Sequence, residues 1–368
     1  MRRFRFTRAA GAGCIFFAFV SACGISTANS DQPSRQNIDS NARQSSFVCP
    51  ALGAAAGVPE HGPLNGSRLQ IATTVAPITS IVGTIAGDKA DVHGIIPEGQ
   101  DSHTFEPKPS VAVVLSKADI VFVNGLKLED PTQELARNSA ASGSQIIELG
   151  TLTIRPDDYV YDFSFPKDGG KPNPHLWTNP PMAKCYASIA ASVMAKAGPA
   201  NGQYFMANYT KLAMKIDALD RLMYQATASM SQQNRALLTY HDAYAYFAQH
   251  YGWRVVGAIQ VSSFEDPTPK EVVALVKQIK AEKVPAIFGS EVFPSAVLTQ
   301  LAQETGVKYV DKLRDDDLPE QPGNPEHSFL GLMKFDFVTM VENLGGDAAP
   351  MKAFDDHVAV LDSADYPQ

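Results

Sequence analysis

The chain has 368 residues, 31 Lys+Arg against 39 Asp+Glu, a formal charge of −8, and 45% hydrophobic with 19% charged residues. An acidic balance of this kind argues against a nucleic-acid partner, which is met by a basic face. The composition is that of an ordinary globular body.

The N-terminus is basic, with Arg2, Arg3, Arg5 and Arg8, and is followed by an apolar run over 9–22. That is the layout of an export signal, and the run is too short for a membrane span of about 20 residues. It closes with Val20-Ser21-Ala22-Cys23-Gly24, which resembles the bacterial lipobox, so Cys23 is the expected lipidation site and membrane anchor. Cleavage after residue 22 removes four arginines and takes the formal charge to −12. Residues 23–66 are rich in Ser, Asn, Gln, Ala, Gly and Pro without periodicity and read as a tether. As a flexible coil it would reach roughly 35 Å.

The remaining stretch of about 300 residues exceeds what one hydrophobic core usually supports, so two domains are expected. Apolar runs at 69–75, 92–96, 119–124, 236–240, 253–256, 286–288 and 307–310 alternate with segments of helical period. Runs apolar on both faces suit buried parallel strands, and their alternation with helices predicts an α/β fold of parallel sheets flanked by helices. Between 203 and 231 there is no glycine or proline, and Leu212, Ile216, Leu219 and Met223 fall on one stripe. This predicts one long helix over 201–232 joining an N-terminal lobe (67–200) to a C-terminal lobe (233–368). A long surface helix of one large domain is the alternative.

In open parallel sheets ligands gather beyond the carboxyl ends of the strands. His103 follows the run at 92–96 in a loop bounded by prolines, His175 precedes a helix in Pro172-Asn173-Pro174-His175, His241 follows the run at 236–240, and Asp311 ends the run at 307–310. Three neutral imidazoles and one carboxylate are a complete ligand set for a borderline divalent metal, leaning to Zn2+ over Mn2+, which takes more oxygen. For the fourth position Asp315, Asp316, Asp317 and His327 remain alternatives to Asp311. Glu106 and Glu291 are expected to orient ligands or loops. Of the cysteines outside the signal and lipobox, Cys49 and Cys185 are free to pair in an oxidising compartment, but nothing in the sequence fixes their separation. There is no CxxC pair for a thiolate site.

Several phrases, in order, resemble signature stretches of one family. They include Pro97-Glu98-Gly99-Gln100-Asp101-Ser102-His103-Thr104-Phe105-Glu106-Pro107, Ser116-Lys117-Ala118-Asp119, Pro174-His175-Leu176-Trp177, Tyr240-His241-Asp242-Ala243-Tyr244, Phe264-Glu265-Asp266-Pro267 and Ile287-Phe288-Gly289-Ser290-Glu291. The family is that of the zinc/manganese solute-binding lipoproteins of bacterial ABC importers, and the resemblance runs over 68–342. It implies two α/β lobes with one metal between them, held by His103 and His175 from the first and His241 and Asp311 from the second. The implied partner is an ABC permease, and the protein is expected to act as a monomer on the extracytoplasmic side of the membrane. In this family a histidine at the third position is similar to the zinc type, whereas zinc binders often carry a long histidine-rich loop; here 156–174 is short and has no histidine. A metal-dependent hydrolase is a competing reading, although HExxH, GxSxG and the phosphate-cradling GxxxxGK[ST] are absent. A surface adhesin sharing the fold is another.

Overall fold

In the computed structural model, which describes residues 47–50, 62–64, 66, 68–260, 266–290, 295–357 and 364–366, the apolar runs become the strands of two parallel sheets. The signal, Cys23, most of the tether, and Phe264, Glu265 and Glu291 lie outside the described residues.

The first sheet contains β1 (Leu69–Thr73), β2 (Ala90–Gly94), β3 (Ile120–Val123) and β4 (Gln145–Glu148), in the order β2-β1-β3-β4. The second contains β5 (Ala236–Thr239), β6 (Arg254–Ala258), β7 (Ala286–Ser290) and β8 (Lys308–Leu313), in the order β6-β5-β7-β8. The two orders are the same, so both lobes repeat one topology although no sequence repeat links them. The central strands β3, β5 and β7 are buried at every position, the outer strands β2, β6 and β8 are mixed, and β4 is half-buried throughout. Strands covered on both faces lose their alternation, which is why the central ones stand out in the sequence. β4 has only two apolar residues, Ile146 and Ile147, too short a run to stand out in the sequence.

Helix α1 (Ala76–Ala86) is buried along its whole length, behind β1 and against α5 (Pro180–Ala197) and α6 (Gly202–Ser229). The 28 residues of α6 span about 42 Å. Its buried face carries Leu212, Ile216, Leu219 and Met223, the stripe expected of it, together with Phe205. The other face meets water, so the spacing of apolar residues alone sets which side packs. Helices α2 (Pro109–Leu115), α3 (Asp130–Ser139) and α4 (Leu149–Thr153) complete the first lobe; α7 (Ala245–Tyr251), α8 (Pro269–Glu282), α9 (Ala296–Thr305), α10 (Phe329–Asn343) and α11 (Ala349–Lys352) belong to the second half of the chain.

The cores do not divide along the lobes. One apolar cluster runs from the first sheet through α1, α5 and α6 to Leu237, Phe288 and α10. A smaller one packs Ala236, Leu238 and Ile287 against Leu275, Ile279, Leu298 and Leu301 of α8 and α9. Neighbouring residues of β5 and β7 therefore serve opposite faces, as the two-residue period of a strand requires. The chain end crosses the lobes as well: Asp365 pairs with His93, and Gly94 N donates to Asp365 O at 2.7 Å on the edge of the first sheet.

Cys49 and Cys185 form a disulfide, with Cα atoms 5.5 Å apart and 136 positions between them in sequence. The segment read as a tether is thus fastened to α5 at residue 49, where Phe47 and Cys49 pack on the core. Closing so long a loop stabilises the folded chain by about 5 kcal/mol in the chain-entropy account. Among the described residues no helix is long and apolar enough to cross a membrane.

Candidate metal centre

Both sheets direct the carboxyl ends of their strands toward one place. The loop after β2 brings His103, the 3-10 turn Leu176–Thr178 follows His175, and the end of β5 delivers His241. Their Nε2 atoms form a triangle: 3.2 Å from His103 to His175, 3.2 Å from His103 to His241, and 2.9 Å from His241 to His175. Edges of that size match a metal at about 2.0–2.1 Å from each nitrogen. His175 and His241 are buried, and His103 is half-buried beneath Phe165, whose ring centroid is 5.5 Å away.

Each buried ring is aimed by its other nitrogen. His175 Nδ1 lies 2.9 Å from Asn173 Oδ1, and His241 Nδ1 lies 3.2 Å from Gln260 Oε1. A carbonyl acceptor at Nδ1 fixes the tautomer that leaves Nε2 free to bind a cation. Asn173 is itself held, donating from Nδ2 to Asp162 and to the carbonyl of Asp242. A second network lies behind His175. Asn124 donates to Pro174 O at 3.0 Å and accepts from the Tyr186 hydroxyl at 2.6 Å, while Glu129 accepts from Thr74 Oγ1 and from the backbone amides of Asn124 and Gly125. Burial pushes the Glu129 carboxyl up to about 7.

Of the two carboxylates, Asp315 and not Asp311 lies beside the three histidines. Asp315 is buried, its Oδ2 is 3.6 Å from His241 Nε2, and its Oδ1 accepts from Ser290 Oγ. Asp311 is exposed within β8. The reason is a bulge: Phe288 faces Val310 but Ser290 faces Leu313, so β8 spends one extra residue against β7. The strand therefore runs on past Val310, turns Asp311 and Lys312 outward, and returns to the core at Leu313. The strand ends at Leu313, later than its apolar run. Asp316 and Asp317 are also buried; Ser102 donates to the first and Gly99 N to the second. His327 stands apart from the three histidines, with Nε2 3.3 Å from Glu98 Oε1 and Nδ1 3.1 Å from Pro319 O. Glu106 is exposed on the loop of His103.

Charge divides unevenly across this site. Burial, helped by the neighbouring His241, holds His103 and His175 well below the ordinary histidine pKa, so both stay neutral ligands at neutral pH. Burial also acts to lower His241, but Asp315 and Asp316 outweigh it and its pKa is raised. Burial raises the carboxyls of the triplet, Asp316 to about 8 and Asp317 to about 6. Asp315 is raised for the same reason, with His241 opposing. A divalent cation would take the place of protons that this half of the site otherwise retains.

The family model described as zinc-uptake complex component A, periplasmic, matches residues 71–343. The chain is similar to the manganese ABC transporter substrate-binding lipoprotein PsaA of Streptococcus mitis, 27% identical over 288 residues, which covers 76% of this chain and 90% of the relative. It is similar also to the iron ABC transporter substrate-binding lipoprotein MtsA of Streptococcus pyogenes serotype M1, 24% identical over 75% of this chain and 89% of that one. Among solved structures, the periplasmic zinc binding protein TroA from Treponema pallidum matches with a TM-score of 0.69 at 23% identity, over 76% of this chain and 99% of its own. That likeness shows the fold: two lobes, each a parallel sheet flanked by helices, with one long helix between them.

Proposed function

We propose that this chain, which belongs to the family of zinc-uptake complex component A and is a substrate-binding protein of a metal ABC importer, carries one zinc ion between its lobes on His103, His175, His241 and Asp315. The relatives are binding components of transporters and not enzymes, which sets the hydrolase reading aside. The observation that carries the proposal is the triangle of three Nε2 atoms 2.9–3.2 Å apart, with a buried carboxylate beside it. Three imidazoles and one aspartate favour zinc over a cation that wants mostly oxygen.

Delivery follows from the division of ligands. His103 and His175 come from the first half of the chain and His241 and Asp315 from the second, so a small separation of the halves removes two ligands at once. Docking on the permease would drive that separation. Lipidation at Cys23 would hold the protein at the membrane where the permease lies, as the names of the lipoprotein relatives suggest.

The test is competitive binding on chelator-stripped protein, with zinc and manganese titrated separately and together and bound metal counted by elemental analysis. One equivalent of zinc that manganese fails to displace is the expected result. Manganese retained against equal zinc would overturn the choice of metal, and no stoichiometric metal would overturn the site.

A further inference from the structure

The loop that carries His103 is fastened to the opposite lobe by groups that are not ligands. Gly99 has a positive φ of 76°, a conformation glycine adopts at little cost. Its amide donates to both oxygens of Asp317, at 2.9 and 2.8 Å. Three residues on, Ser102 Oγ donates to Asp316 Oδ2 at 2.5 Å. Glu98 of the same loop lies beside His327 of the second lobe. Ser102 and Asp316 are 1% and 8% exposed, so their bond is shielded from competing water, whereas Gly99 is exposed and its bonds to Asp317 are only partly covered. Within the loop, Asp101 accepts from the His103 amide and from Thr104 Oγ1, so the segment from 101 to 104 moves as a unit with the histidine.

We infer that Asp316 and Asp317 are positioning residues that latch the His103 loop onto the second lobe and thereby set the rate at which metal leaves. The inference rests on the metal-binding reading above. One tripeptide has two duties: Asp315 faces His241, and the next two carboxylates grip the loop of the opposing ligand. Withdrawing His103 from the site means stripping Gly99 N–H from Asp317 and Ser102 from Asp316, and the second of these bonds is buried, where water does not readily replace it. The loop's own Asp101 bonds tie the backbone of His103 to the latched segment. A partner that pulls on this loop, or competes for the two carboxylates, would release the ion without touching a ligand.

Zinc release into excess chelator, followed by stopped flow on the full chain, tests this. Ser102→Ala and Asp317→Ala should each keep one equivalent of zinc and their melting temperature. Each should release zinc about tenfold faster while association is unchanged, since contacts of this kind act mainly on dissociation. Asp317→Asn, which keeps an oxygen for Gly99 N–H, should fall between Asp317→Ala and the parent. Release unchanged in both alanine variants overturns the latch. So does faster release from Asp316→Ala with none from Ser102→Ala, because Asp316 would then act on the metal itself. A parent protein that binds no zinc overturns the functional reading along with the latch, and its stoichiometry is measured first so that the two failures stay distinct.

Discussion

The two halves of the metal centre are built from opposite materials. The first-lobe half is neutral and aromatic: His103 and His175 pack with Phe165 and Trp177, and burial keeps both rings uncharged. The second-lobe half is acidic, with His241 beside Asp315 and with Asp316 and Asp317 next in sequence. The first half offers lone pairs without charge, and the second offers charge that only a cation or protons can satisfy. On the proposed reading, affinity for a divalent ion would depend on both halves for geometry but on the second for charge balance.

The sharpest way to break that comparison is to remove one group from each half. His103→Ala and His241→Ala should each lower zinc affinity by orders of magnitude while leaving the melting temperature of the metal-free protein near that of the parent. Asp315→Ala should act similarly and Asp311→Ala should leave affinity unchanged, because Asp311 is exposed on β8. Calorimetric titration reads all four, and a loss in Asp311→Ala equal to that in Asp315→Ala would reverse the assignment.

A smaller effect separates the halves by their protons. His103 and His175 have lowered pKa values, whereas His241 and Asp315 are raised and Asp316 is raised to about 8, so this half of the site binds protons in competition with a metal at higher pH than the first half does. Zinc affinity should therefore rise with pH from 5 to 8, and binding near pH 7 should release protons. Titrations in buffers of different ionisation enthalpy check this; heats independent of buffer would remove the proton-holding role from the acidic half.

The smallest effect is on stability and belongs to the support of the first half. Glu129 has its folded pKa raised from the usual 4.5 to about 7. A carboxyl whose pKa rises on folding adds stability that is fully present below about pH 4.5 and is lost as pH climbs through 7, about 3 kcal/mol in all. In metal-free protein, the stability advantage of the parent over Glu129→Gln should shrink across that window in urea unfolding. A constant difference would show that the carboxyl titrates normally.

Seven of the eight strands, the long helix and the three histidines were legible in the sequence, and each for a local reason. A strand buried on both faces must be a continuous apolar run, as β3 and β5 are, and a helix that packs one side must carry a stripe, as α6 does. His241 follows the end of β5, where an open parallel sheet gathers its ligands, while His103 lies in the loop after β2 and His175 precedes a 3-10 turn, both in proline-bounded phrases. What the sequence did not determine are matters of register and of contact over long distance. An extra residue in β8 opposite β7 carries the strand past Asp311, and Asp315 is the carboxylate that lies beside His241; a bulge is set by how two strands pair rather than by either strand's own residues. The bond between Cys49 and Cys185 joins positions 136 apart, and the grip of Asp316 and Asp317 on Ser102 and Gly99 spans more than 200. Local periodicity carries no information about such pairs, because only the packed chain brings them together.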